Sequence, residues 1–84
     1  MLKFLKGEQE VDYKKYIEVN PKILLGKPVI KGTRIPVELI LRKLAEGYTF
    51  EELTEAYPAL KKETLKAIFL YASEVLSHEE VVGA

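Results

Sequence analysis

Polar and apolar residues alternate over Tyr16-Ile17-Glu18-Val19, and Asn20-Pro21 breaks the alternation. A period of two on β-favouring residues, closed by a turn pair, predicts a short strand. Lys22-Ile23-Leu24-Leu25 followed by Gly26 reads as one helical turn closed by glycine. Pro28-Val29-Ile30 and Arg34-Ile35 then read as short extended pieces around a Lys31-Gly32-Thr33 turn. Each proline removes a ladder donor, so these pieces are expected at sheet edges.

After Pro36 the period changes from 2 to 3.6. Val37, Ile40, Leu41 and Leu44 fall on one helical stripe, with Pro36 suited to the first turn and Glu46-Gly47-Tyr48 closing the helix. Thr49 and Glu52 have the spacing of a capping box, which predicts a second helix from Phe50 to about Ala56, stopped by Tyr57-Pro58. A third helix is expected from Lys61 or Lys62 to Leu76, fraying at Ser77-His78. Residues 1–12 are charged and poorly periodic and read as an arm, with residues 13–84 as a single domain. The fold class is therefore mostly α, a short N-terminal β-ribbon followed by a three-helix bundle. Its last two helices have the outline of a helix-turn-helix unit.

The third helix is unusual in its apolar distribution. Leu65, Ile68, Phe69, Ala72, Val75 and Leu76 make one apolar face, and Ala67, Leu70 and Tyr71 extend apolarity round the cylinder. A helix apolar nearly all round is buried on two sides, and a chain of 84 residues has little of its own to cover both. Leu70 and Tyr71 are thus expected to meet a second chain, and a homodimer is the expected state.

Composition narrows the function classes. The 48% hydrophobic and 31% charged residues suit a globular domain, and no apolar run approaches the ~18 to 20 residues that cross a bilayer. The first ten residues, MLKFLKGEQE, lack the apolar centre of a signal peptide. With no cysteine there is no disulfide framework, and a cytoplasmic setting follows by default. Glutamate supplies every acid except Asp12, lysine every base except Arg34 and Arg42, and Asn, Gln and Met are scarce. That bias is the one reported for hyperthermophile proteins.

Net charge is zero but unevenly spread. Residues 14–43 carry eight basic and two acidic side chains, a local +6, whereas residues 51–84 carry three basic and seven acidic, a local −4. Such a dipole fits a polyanion-binding face or a complementary subunit. Lys61, Lys62, Thr64 and Lys66, in the first turns of the third helix, are the candidate DNA contacts, with Lys27 and Lys31 as candidate phosphate contacts. Cations at a helix N-terminus oppose the macrodipole, which points to a use for them. The guanidinium of Arg34 can grip a carboxylate within the fold, or a phosphate or acidic partner outside it; an ion pair inside the fold or bridging subunits is the favoured reading, with Glu38 and the acidic second helix as available partners.

Catalysis is not expected. His78 is the single histidine, Glu51, Glu52 and Glu55 lie on a short exposed helix, and GKPVIKGT lacks the spacing of a phosphate-binding loop. No metal or cofactor set is apparent.

Residues 20–76, running from NPKILLGKPVIKGTRIPVELIL through the Tyr57-Pro58 break to the last helix, resemble a widespread small prokaryotic domain family of uncharacterised function. Its hallmarks are the Gly-Lys-Pro and Gly-Thr-Arg-Ile-Pro-Val motifs, present here at 26–28 and 32–37. The resemblance implies a homeodomain-like or winged-helix-like fold. It also implies a role as the antitoxin of a type II toxin–antitoxin pair, beside a toxin of PIN-like nuclease fold. Type II antitoxins usually add a flexible toxin-wrapping segment. The residues after Leu76 are too few for that, so the arm or the folded face is expected to hold the toxin.

Overall fold

The ribbon forms where the alternation is clearest. In the computed structural model, which describes residues 12–83 and side chains through Ser77, β1 (Ile17–Glu18) pairs antiparallel with β2 (Val29–Ile30), Ile17 opposite Ile30 and Glu18 opposite Val29. The paired Ile17 and Ile30 face the core, and Val29, next to Ile30 and on the other face of the ribbon, is buried as well. The arm read over residues 1–12 lies outside the described residues except for Asp12. That residue belongs to the fold: its Oδ1 accepts the Lys14 N–H at 3.1 Å and opens a 3-10 turn over Tyr13–Lys15.

Three helices follow. α1 (Val37–Ala45) starts from Pro36 in extended conformation and carries Glu38 in its first turn and Arg42 and Lys43 in its last, both favourable to the helix dipole. It ends as Gly47 enters the left-handed region at φ +105° and the Tyr48 N–H donates to the Lys43 carbonyl at 3.1 Å, the glycine-closed termination common at helix C-termini. Lys43 Nζ lies 4.9 Å from the centre of the Tyr48 ring across this turn. α2 (Phe50–Ala56) begins with the expected capping box: Thr49 Oγ1 accepts the Glu52 N–H at 3.1 Å and Glu52 Oε1 accepts the Thr49 N–H at 2.8 Å. α3 (Lys62–Gly83) is the longest element, about 33 Å at 1.5 Å per residue.

The core gathers one or two side chains from each piece: Ile17 and Ile30 from the ribbon, Val37 and Ile40 from α1, Leu53 from α2, Leu60 from the connection, and Ala67 and Ile68 from α3. Each fully buried isoleucine or leucine stabilises the fold by ~1.5 to 3 kcal/mol relative to exposure. The protein is thus a small, mostly helical domain with a two-stranded antiparallel ribbon near its N-terminus.

Three local expectations are corrected. The stretch from Lys22 to Gly26 is not a right-handed helical turn: Leu24, Leu25 and Gly26 have φ of +48°, +58° and +88°. Three successive left-handed residues reverse the chain between β1 and β2, and the Asn20 side chain prepares the reversal by accepting the Lys22 N–H at 2.9 Å. α3 does not fray at Ser77-His78 but runs on to Gly83; Ser77 Oγ donates back to the Glu74 carbonyl at 3.0 Å, which satisfies the hydroxyl inside the helix.

The third correction concerns which side of α3 faces inward. Thr64, Ala67 and Ile68 are buried, whereas Phe69, Val75 and Leu76, expected on the core face, are exposed. The physical reason is close approach: small side chains at 64 and 67 let the helix press against the Tyr13–Lys15 turn and β1, and large ones there would hold it off.

Candidate partner and nucleic-acid interface

The Gly-Thr-Arg-Ile-Pro-Val motif builds a turn and aims one charge outward. Gly32 takes φ +81°, a backbone that a Cβ would strain. Thr33 then braces the turn, with Oγ1 donating to the Ile30 carbonyl at 2.7 Å and accepting the Ile35 N–H at 2.9 Å. The returning chain is tied to β2 by Ile30 N–H to the Ile35 carbonyl and Val37 N–H to the Pro28 carbonyl, both 2.9 Å, around a Val29–Pro36 bridge. Arg34, at the tip, is exposed. It makes no ion pair among the described residues, and Glu38, one of the partners expected to be available to it, is taken by Lys27 at 3.0 Å.

That pair changes the reading of Lys27. Both side chains are more than half exposed. The hydrogen bond and charge of Lys27 hold the Glu38 carboxyl below its usual pKa, so it stays ionised to lower pH than a free glutamate. A phosphate at Lys27 would have to compete with this carboxylate. Lys31, by contrast, is exposed beyond the end of β2.

The candidate DNA contacts of α3 divide in the same way. Lys61, Lys62 and Lys66 are exposed. Thr64 is withdrawn from the surface at 3% exposure, and its Oγ1 accepts the Lys61 N–H at 3.2 Å. It caps the helix start and cannot reach a base. Nor do the two basic sets form one cluster. Lys27 lines a groove with Ala72, Val75 and Leu76, and Lys62 to Leu76 spans about 21 Å of helix axis.

Of the expected partner-binding residues on α3, Tyr71 is half-buried and stacks edge-on against Tyr13, ring centres 5.5 Å apart, and Leu70 is half-buried. The exposed apolar area lies instead on Phe69, 51% accessible, and Leu76, 65% accessible, with Val75 beside them. In the sequence pattern the size of these residues outweighs their position and suggests core; the small residues at 64 and 67 are the signal of the inward face. Val75 and Leu76 also wall the apolar groove, about 320 Å³, closed opposite by Lys27, Pro28, Val37 and Leu41. Among the described residues no group of three or more His, Asp or Glu is placed to hold a metal ion, and no helix is long and apolar enough to cross a membrane.

Comparison with known proteins adds the family. The chain is 31% identical over 77 residues to the uncharacterized protein y4eO of Sinorhizobium fredii, a match covering 86% of this chain and 35% of that protein. The chain therefore spans about a third of that relative's length. An uncharacterized protein of Archaeoglobus fulgidus is 62% identical over 24 residues, 29% of this chain and 67% of its own. The crystal structure of a DUF433 member from Anabaena variabilis superposes with a TM-score of 0.69 at 24% identity, covering 100% of this chain and 87% of that one, a likeness of fold. Residues 17–72, from the first strand to the middle of α3, match the family described as "Protein of unknown function (DUF433)", and the chain belongs to the DUF433 family.

Proposed function

We propose that this chain is an antitoxin-like regulator of a type II toxin–antitoxin pair, a cytoplasmic, non-enzymatic homodimer that binds DNA with the start of α3 and a PIN-like toxin with its folded surface. The observation that carries the reading is the succession of a short capped helix, α2, and a longer helix whose first turns expose Lys61, Lys62 and Lys66. That is the outline of a helix-turn-helix unit, in which the N-terminal residues of the second helix meet base edges while basic residues elsewhere hold phosphates. The connection, residues 57–61, is slightly longer than a three- or four-residue turn and is anchored by buried Leu60. Arg34 and Lys31 present further positive charge for phosphate or for an acidic toxin surface.

A second reading, a dimeric interaction module that touches no nucleic acid, is favoured by the exposure of Phe69 and Leu76 and by the engagement of Lys27 with Glu38. A gel-shift titration against the gene's own upstream DNA at low salt separates the two. Under the DNA reading the triple change Lys61→Ala, Lys62→Ala, Lys66→Ala abolishes the shift. Lys31→Ala weakens it uniformly across sequences and flattens the salt slope by about one unit, and Lys27→Ala does less because its charge is already met. The absence of any shift at tens of micromolar dimer, weaker than ordinary non-specific binding, leaves only the interaction module.

A further inference from the structure

The exposed apolar residues of α3 form a pattern of their own. Leu65, Phe69, Ala72 and Leu76 recur at intervals of four, three and four, the spacing of a two-helix seam. At 100° per residue they lie on one line about a quarter turn or more from the buried Thr64–Ala67–Ile68 side. Phe69 and Leu76 are more than half exposed, and Leu65 and Ala72 are half-buried.

Two ways of laying a second α3 on this seam differ sharply. Side by side in parallel, Phe69 meets Phe69 of the partner subunit and Ala72 meets Ala72 of the partner subunit, a clash beside a gap, while Lys62 and Lys66 face their own likenesses. Antiparallel, with Leu65 opposite the partner's Leu76, Phe69 falls opposite the partner's Ala72. A large side chain then fills the space left by a small one, and the groove between Ala72, Leu76, Leu41 and Pro28 receives the ring.

The charges select the same register independently. The first turns of α3 carry Lys61, Lys62 and Lys66, and its last turns carry glutamates at 79 and 80. In the antiparallel alignment that pairs 65 with 76 and 69 with 72, positions 61 and 62 stand opposite 80 and 79. The seam and the charges therefore share one two-fold centre, between residues 70 and 71. A two-fold interface must be self-complementary in this way.

We propose that a second copy of this chain packs antiparallel along α3, Phe69 of each protomer seated over the partner's Ala72 and the basic start of each helix beside the acidic end of the other. This rests on the dimeric state of the proposed function and names its surface.

Light scattering and sedimentation of the full chain at micromolar concentration, with circular dichroism to verify folding, test it. The wild type is expected at twice the 9.6 kDa chain mass. Reversing either end, Lys61→Glu with Lys62→Glu or Glu79→Lys with Glu80→Lys, should raise the dimer Kd about tenfold, since the two-fold doubles both pairs and four attractions become four repulsions of surface-pair strength. Combining all four should restore association. Positions 62 and 79 lie about 25 Å apart within one helix, so the rescue can only come from between chains. Because the chain has no cysteine, an oxidised mixture of Leu65→Cys and Leu76→Cys chains reads the register: mixed disulfides are expected in excess. A wild type that is monomeric, with the face left for a foreign partner, overturns both this proposal and the dimeric reading. A wild-type dimer indifferent to the reversals, or one giving only like-with-like disulfides, overturns this proposal alone.

Discussion

Leu25 has a left-handed backbone, φ +58° and ψ +30°, and a side chain 95% exposed to solvent. A non-glycine residue in that region costs roughly 1 to 2 kcal/mol from contact of its Cβ with the following carbonyl, and Leu25 recovers almost none of it by burial. Asparagine tolerates the conformation far better and avoids the added chain entropy that glycine brings to the unfolded state. Leu25→Asn is therefore expected to stabilise the domain by about 1 kcal/mol, equivalent to roughly 4 to 8 °C in Tm at this chain length. Leu25→Ala removes the same exposed leucine but keeps a Cβ without a polar partner, and should stay within about 0.5 kcal/mol of wild type. Guanidinium denaturation followed by circular dichroism measures both, provided the m-value is unchanged. An Asn variant no more stable than the Ala variant refutes the argument, and a loss in both would mean that the Leu25 side chain is covered when the protein is assembled.

Ile68→Ala empties a fully buried site on the inward face of α3 and should cost ~2 to 5 kcal/mol in the same denaturation experiment; a cost below about 1 kcal/mol would mean that α3 docks through another face. The lysine and glutamate bias predicts a melting temperature above about 90 °C. A calorimetric transition in the mesophile range of ~45 to 65 °C would mark the bias as accidental.

Signals contained within a few neighbouring residues carry the secondary structure of this chain. Thr49 and Glu52, three positions apart, have the spacing that closes a capping box, Gly47 ends a helix because it alone of its neighbours enters the left-handed region cheaply, and the shift of period at Pro36 separates ribbon from bundle. These effects act over one or two turns, so the order of a β-ribbon and three helices can be read without knowing what each packs against. The tertiary structure decided what depends on distant neighbours. It turned α3 so that Thr64 and Ala67 lie inward and Phe69 and Leu76 outward, because small residues permit close approach and a pattern of residue sizes does not say which face is pressed. It gave Glu38 to Lys27 rather than Arg34, because eleven residues of chain had to fold back to bring that lysine within 3.0 Å. It bent Leu24 and Leu25 into a conformation that neither prefers alone, where the chain reverses within the ten residues that join β1 to β2 so that Ile17 pairs antiparallel with Ile30.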